Sequence, residues 1–231
     1  MRISYDIKSC VSCVYRQMLF GDLSDREYEL INEARTEKIF RKGEVIVKEN
    51  EPIDSFLYLR QGLVKFYKTD EHGKDHLLSI TKPGDFVNLL NIFSDTNYHY
   101  SVCALEETMV CEVKLDALKE VIASNSKFAL RILNRIGHIS DEVILNRFEI
   151  SRKQIKGRVA YILIYLADQI YKNPEFRIPI TRRELGELIS MTTENTIRTL
   201  SEFKNDGIIS MEGKVITILD YDRLHNILKT G

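Results

Sequence analysis

Residues able to do chemistry gather in two places in this sequence. From Thr192 to Ser201, the side chains of Thr192, Thr193, Glu194, Asn195, Arg198 and Ser201 fall at helical spacing, with the polar types crowded toward the N-terminal end. Arginine offers two donors that match guanine O6 and N7, glutamate accepts from cytosine N4, and serine and threonine meet either kind of base edge. Taken without context, Glu194 and Arg198 read more simply as an exposed ion pair one helical turn apart, which stabilises a helix by only ~0.3–0.5 kcal/mol. The second place is the cysteine set: Cys10 and Cys13 form a C-x2-C pair, and Cys103 and Cys111 lie far downstream. In a reducing compartment such spacing favours metal binding or a thiol–disulfide switch over a structural disulfide. The plainer alternative makes Cys103 and Cys111 small buried strand residues and leaves Cys10 and Cys13 on a flexible arm.

Enzyme signatures are missing. The chain has no G-x-S-x-G nucleophile elbow, no G-x-x-x-x-G-K phosphate loop and no H-E-x-x-H zinc site. Its five histidines are dispersed, and His72 and His76 flank a turn at Gly73, where solvation is the expected state. No catalytic residue is assigned, and the protein is expected not to be an enzyme.

Local signals define the elements that must hold the first cluster. Thr181-Arg182-Arg183-Glu184 is a capping box, in which the threonine hydroxyl and the glutamate carboxylate each take a free backbone N–H. Leu185, Leu188 and Ile189 then give an apolar face, Ser190-Met191-Thr192 a tight turn, and Thr193 to Asp206 a second helix with Ile197, Leu200 and Phe203 as its inner stripe. Gly207 ends that helix. Ile208 to Met211, Glu212-Gly213-Lys214 and Val215 to Ile218 predict a short hairpin. A hairpin after a helix-turn-helix is a wing, whose Lys214 reaches phosphate while the N-terminal part of the second helix enters the major groove.

Upstream the periodicities differ. Between Glu37 and Leu115 short β-type runs alternate with Gly or Pro turns, predicting a jelly-roll domain whose last strands, Tyr100 to Leu105 and Met109 to Val113, join through a turn at Glu106-Glu107. From Asn125, apolar residues step by three and four: Ala129, Ile132, Ile136, Ile139, Val143, Asn146 and Ile150. This spacing predicts a coiled-coil seam between two copies of the chain, with Asn146 fixing register; a helix packed on its own β domain is the alternative. The fold class is therefore α+β: a β-roll over residues 1–124, a dimerisation helix over 125–151 and a winged helix-turn-helix over 152–231. The chain carries a net charge of −1, divided as −4 for residues 1–150 and +3 for the rest, and a mildly basic C-terminal half suits a nucleic-acid partner. The start, Met1-Arg2-Ile3-Ser4-Tyr5-Asp6, has no apolar core of signal-peptide length, and the longest apolar stretch, Val159 to Ala167, is too short for a membrane span. A cytoplasmic protein with no membrane partner is expected.

Three segments carry a family resemblance: Ile180-Thr181-Arg182-Arg183-Glu184-Leu185-Gly186, Glu194-Asn195-Thr196-Ile197-Arg198 and Gly213-Lys214-Val215-Ile216-Thr217-Ile218. They resemble the winged helix-turn-helix of the catabolite-activator and fumarate-nitrate-reduction (CRP/FNR) regulator family. Pro83-Gly84-Asp85-Phe86 and Ala104 to Glu112 resemble its β-roll, so the likeness spans nearly the whole chain. It implies a homodimeric bacterial transcription regulator that binds an inverted repeat with a TGA-like half-site core, with RNA polymerase as a further partner. Glu194 and Arg198 would read the G·C pair, Thr193 and Asn195 would tune neighbouring positions, and Thr181 and Arg182 would lie near phosphate. A small-ligand-binding module whose winged helix contacts protein is the alternative function.

The resemblance also bears on the signal. Cyclic-nucleotide members carry a Gly-Glu pair for the ribose and an Arg-Ser pair for the phosphate, where this chain has Asn88-Leu89 and Ser101-Val102. Without the arginine the phosphate lacks its charge-assisted partner, so cyclic AMP is not expected. The oxygen-sensing branch holds an iron–sulfur cluster on three N-terminal cysteines and one in the β-roll. Cys10, Cys13 and Cys111 match three of these, and Cys103 would have to supply the fourth thiolate by approaching Cys111 across the predicted hairpin.

Overall fold

The structure, a computed structural model, describes residues 2–4, 20–89 and 91–231. Cys10 and Cys13 lie outside the described residues. The chain divides into two compact units, one comprising the residues up to Asp75 with Ser79–Asp141, the other His76–Leu78 with Glu142–Gly231.

In the first unit, β1 (Arg2–Ser4), β2 (Arg35–Phe40), β3 (Val45–Val47), β4 (Ser55–Gln61), β5 (Val64–Thr69), β6 (Asp75–Thr81), β7 (Ser101–Ala104) and β8 (Thr108–Lys114) form two four-stranded sheets. Their orders are β1-β2-β8-β4 and β3-β7-β5-β6. Strand alternation sends one set of side chains inward: Leu57, Leu59 and Val110 from the first sheet pack with Val64, Phe66, Val102 and Ala104 from the second. The alternate residues of the first sheet, Phe56, Tyr58, Cys111 and Val113, face the other way into a second core. That core is closed by Ile31 of α1 (Asp25–Glu33), by Leu118 and Val121 of α2 (Leu115–Ser124), and by Phe128 and Ile132 of α3 (Ser126–Arg152). The jelly-roll expectation thus holds. Its last connection does not, because β7 and β8 belong to different sheets and the Glu106-Glu107 turn crosses between layers instead of closing a hairpin.

α3 corrects the predicted dimer seam. Ile132 is 2% exposed, and Ile136 and Ile139 pack against the same core as Phe128, so these three cover their own β-roll. Ile150 is buried too, and Asn146 accepts a hydrogen bond from the Tyr161 hydroxyl at 2.5 Å. Of the predicted seam only Val143 is exposed. The free apolar row lies on the opposite side of the helix, where Leu130, Leu133, Ile144 and Phe148 are each about three-fifths exposed, with Gly137 between them. Spacings of three and four occur on both faces, and the β-roll takes one of them.

In the second unit, α4 (Ile155–Ile164) continues into a π-helical stretch, Tyr165–Tyr171. Its buried Val159, Ala160, Ile162 and Leu163 join Leu185, Leu200 and Phe203 in the unit's interior. Then come β9 (Glu175–Arg177), α5 (Arg182–Leu188), α6 (Thr193–Asn205), β10 (Ile209–Glu212), β11 (Val215–Ile218) and α7 (Tyr221–Thr230). The wing is a three-stranded sheet in the order β10-β11-β9. The sequence predicted its hairpin and not β9, which pairs Phe176 with Ile216.

Candidate nucleic-acid interface

The helix pair is set by its caps and by one glycine. Thr181 accepts from the Glu184 amide at 3.2 Å, and the Glu184 carboxylate accepts from both the Thr181 amide and its hydroxyl at 2.8 Å, completing the predicted capping box at the start of α5. The chain then reverses through Ser190, whose φ is +55°, while the Met191 amide donates to the Gly186 carbonyl. Thr192 caps α6 by accepting from the Asn195 amide. A Cβ on Gly186 would fall 2.8 Å from the Met191 carbonyl oxygen and 2.9 Å from the Thr196 hydroxyl, so the two helices approach as closely as they do because residue 186 has no side chain.

On α6, the buried side is Thr196, Thr199, Leu200 and Phe203. The two threonine hydroxyls are satisfied within the helix, donating to the carbonyls of Thr192 and Asn195, both at 2.9 Å. Ile197, predicted for the inner stripe, instead stands on the open face, 47% exposed. Glu194, Arg198 and Ser201 are exposed with it, and Thr193 and Asn195 are half-buried beside them. Arg198 does not pair with Glu194. Its guanidinium donates to Asn195 Oδ1 at 2.9 Å and lies 3.9 Å from Glu202, exposed contacts that a stronger acceptor displaces readily. Glu194 stays clear in the first turn, at the helix N-terminus.

Supporting positions divide. Lys214 is exposed at the tip of the wing turn beside Gly213. Thr181 is engaged by its capping box. Arg182 is half-buried; its guanidinium donates to the Gly213 carbonyl at 3.4 Å and touches Met211 Sδ, and burial lowers its pKa. Arg182 therefore ties α5 to the wing, a structural task that neither its charge nor its position in the sequence revealed.

Residues 37–125 match the model of the cyclic nucleotide-binding domain, and residues 157–227 match that of the Crp-like helix-turn-helix domain. The chain belongs to the CRP/FNR family of transcription regulators. Among its relatives, the anaerobic regulatory protein of Haemophilus influenzae is 28% identical over 96% of this chain and 88% of its own length. Electron transport regulator A of Shewanella oneidensis is 28% identical over 81% of this chain and 76% of its own. Of solved structures, FixK2 from Bradyrhizobium japonicum superposes with a TM-score of 0.73 at 25% identity, covering 84% of this chain and 96% of that one. These relatives are regulators and not enzymes. No helix among the described residues is long and apolar enough to cross a membrane.

In the β-roll of this regulator, the positions that would serve a cyclic nucleotide are part of the framework. Asn88 is fully buried: its Oδ1 accepts from the Leu57 amide at 2.9 Å, and its Nδ2 donates to the Ser55 carbonyl at 2.7 Å and the Tyr98 hydroxyl at 3.1 Å. Ser101 is buried as well and accepts from the Glu49 amide at 3.0 Å. The Asn88 amide and the Ser101 hydroxyl are thus engaged within the fold, and neither position carries the arginine that a cyclic phosphate would call for.

Cys103 and Cys111 are not placed to share a four-thiolate cluster. Cys111 faces the outer core of the first sheet, with Arg35 Nη1 3.8 Å from its sulfur. Cys103 alternates with Val102 and Ala104, which point between the sheets, so its own side chain lies on the far side of the second sheet. Both are buried, neither is in a disulfide, and the packed interior separates them. The expected approach of Cys103 to Cys111 thus fails because β7 and β8 are in different layers. Among the described residues no group of three or more His, Cys, Asp or Glu side chains is placed to hold a metal ion.

Proposed function

We propose that this regulator binds an inverted-repeat operator as a homodimer, reads a TGA-like half-site core with α6, and answers a redox or small-ligand signal at the β-roll that is not cyclic AMP. The observation that carries the reading is the open face of α6, where Glu194, Arg198 and Ser201 stand exposed at the N-terminal half of a capped helix. The exposed row Leu130, Leu133, Ile144 and Phe148 supports the dimer, since an apolar stripe of that length on one helix face calls for a partner, and a second copy supplies an identical one. Two-fold pairing along α3 gives two α6 helices and hence an inverted repeat with half-sites about one helical turn apart. RNA polymerase is the partner we assign on the bound promoter.

The test is selection of an operator from random DNA, followed by titration with the intact protein and with Arg198→Ala. The selected site is expected to be an inverted repeat. Arg198→Ala is expected to lower the preference for it by roughly ten- to a hundredfold per half-site, the range of a bidentate arginine–guanine contact, and to leave weak binding that fades with salt. Unchanged discrimination refutes the reading. Sedimentation of the double variant Leu133→Asp, Phe148→Asp is expected to show a monomer; a persistent dimer would move the interface off this face. Iron and sulfide analysis after anaerobic purification, with operator binding before and after exposure to air, separates a redox signal from a small ligand.

A further inference from the structure

We infer that Ile197 is a specificity-determining contact: it covers the methyl group of a thymine next to the G·C pair addressed by Glu194 and Arg198. The inference rests on the DNA-reading function proposed for α6. Its basis is an inversion in that helix. Two of the four residues turned to the core are threonines, their hydroxyls satisfied by backbone carbonyls one turn back, while the isoleucine between them stands out in solvent, 47% exposed. Packing within the unit gives no reason for an aliphatic β-branched side chain at that position, because Leu200 and Phe203 already fill the inner face and are almost fully buried.

Its neighbours place it. Helical spacing sets Thr193, Ile197 and Ser201 in one row and Glu194, Arg198 and Glu202 in the adjacent row, so Ile197 lies beside the residues that address the G·C pair. Most groups on the major-groove edges of B-form DNA are hydrogen-bond donors or acceptors, and isoleucine can use none of them. The apolar exception is the C5 methyl of thymine. A side chain with four carbons beyond Cα, set among polar residues on the surface that enters the groove, is matched to that group.

The experiment is a thymine-to-deoxyuracil scan of the selected operator, removing one methyl at a time without altering any base-pairing edge. With the wild-type dimer, one thymine per half-site is expected to be sensitive, removal of its methyl weakening binding about fourfold, or about sixteenfold when both half-sites are changed. Ile197→Ala is expected to bind thymine and uracil operators equally at that position, and Ile197→Val to keep most of the discrimination. Both variants change an exposed side chain, so thermal melting near the wild-type temperature confirms that they fold. Indifference of the wild type to every methyl, or equal sensitivity in Ile197→Ala, overturns the assignment. If the operator is bound in an Arg198-dependent way and the methyls are indifferent, only the Ile197 assignment falls; if Arg198→Ala changes nothing, the DNA-reading function falls with it.

Discussion

The two units of this regulator treat their hydrogen-bonding side chains in opposite ways. On the open face of α6 the polar groups are exposed and loosely held: Arg198 reaches Asn195 and Glu202 through contacts open to water. In the β-roll the corresponding groups are buried and committed. Asn88 makes three hydrogen bonds, Ser101 receives one, and Glu37, only 6% exposed, is held by Arg35 at 2.6 Å and by Arg60. An exposed donor can exchange its partner for a base edge at little cost, whereas a buried pair cannot be opened without stranding polar groups in the core. The comparison teaches that the same kinds of polar side chain serve exchange with an outside partner where water reaches them and fix the fold where it does not. This chain matches the model of a cyclic nucleotide-binding domain, and the side chains of Asn88 and Ser101 are tied to neighbouring segments of its β-roll.

The largest expected effect tests the committed side. Asn88→Ala leaves the Leu57 amide and the Ser55 carbonyl without their partner in a dry interior and removes a donor from Tyr98, whose hydroxyl burial pushes up to about 12. Chemical denaturation is expected to show a loss of about 3 kcal/mol. Arg198→Ala, in the same assay, is expected to lie within about 0.5 kcal/mol of the wild type, as for most surface substitutions. Comparable losses in the two variants would erase the contrast between the units.

A smaller effect sharpens the other side, by asking how firmly the open face of α6 is supported from beneath. Gly186→Ala drives a methyl against the Met191 carbonyl and the Thr196 hydroxyl, and the carbonyl belongs to the turn that aims α6. Alanine gains up to ~1 kcal/mol of helix propensity over glycine, while forcing the helices apart costs typically 1–3 kcal/mol, so a net loss near 1 kcal/mol is expected. Operator affinity is expected to fall along with it. Lower stability with intact operator affinity would show that α6 tolerates a shift of its support.

What the sequence made legible follows from how local each feature is. The Thr181 capping box, the Ser190 turn, Gly207 and the Glu212-Gly213-Lys214 turn lie within a few residues of the elements they shape, and the winged helix-turn-helix follows from them. Ile197 reads as inward because hydrophobicity alone ranks it above Thr196 and Thr199, and the carbonyls one turn back that let those threonines be buried do not register in a hydrophobic pattern. The choice of face on α3 was not local at all. Ile132 and Leu133 are adjacent and equally apolar, and only the β-roll surface built from Phe56, Tyr58 and Val113 decides which is covered. The relation of Cys103 to Cys111 failed for the same reason, since sheet membership is set by pairing with β2, β4 and β5 across long stretches of chain. Strand β9, three residues long, was too short to leave a pattern.

The smallest effect compares the same device in both units. Ser24-Asp25-Arg26-Glu27 forms a second capping box, at α1, in which the Ser24 hydroxyl and amide both donate to Glu27 Oε2, at 2.7 and 2.8 Å. At α5 the equivalent carboxylate, Glu184, is buried, whereas Glu27 lies at the surface. Thr181→Ala is therefore expected to cost about 1 kcal/mol, and Ser24→Ala less. Their pH dependence separates them further. The hydroxyl of Ser24, then its amide, hold the Glu27 carboxyl below the ordinary 4.5. A lowered folded-state value means that this contribution is present above the ordinary value and is lost as pH falls through the folded one. The gap in melting temperature between wild type and Ser24→Ala should accordingly be widest at neutral pH and narrow below about pH 4.5, where only the hydroxyl cap on the Glu27 amide is left. A gap that stays constant down to strongly acid pH would show that the Ser24 hydroxyl caps the Glu27 amide without help from the carboxylate, and that the two boxes differ in kind as well as in burial.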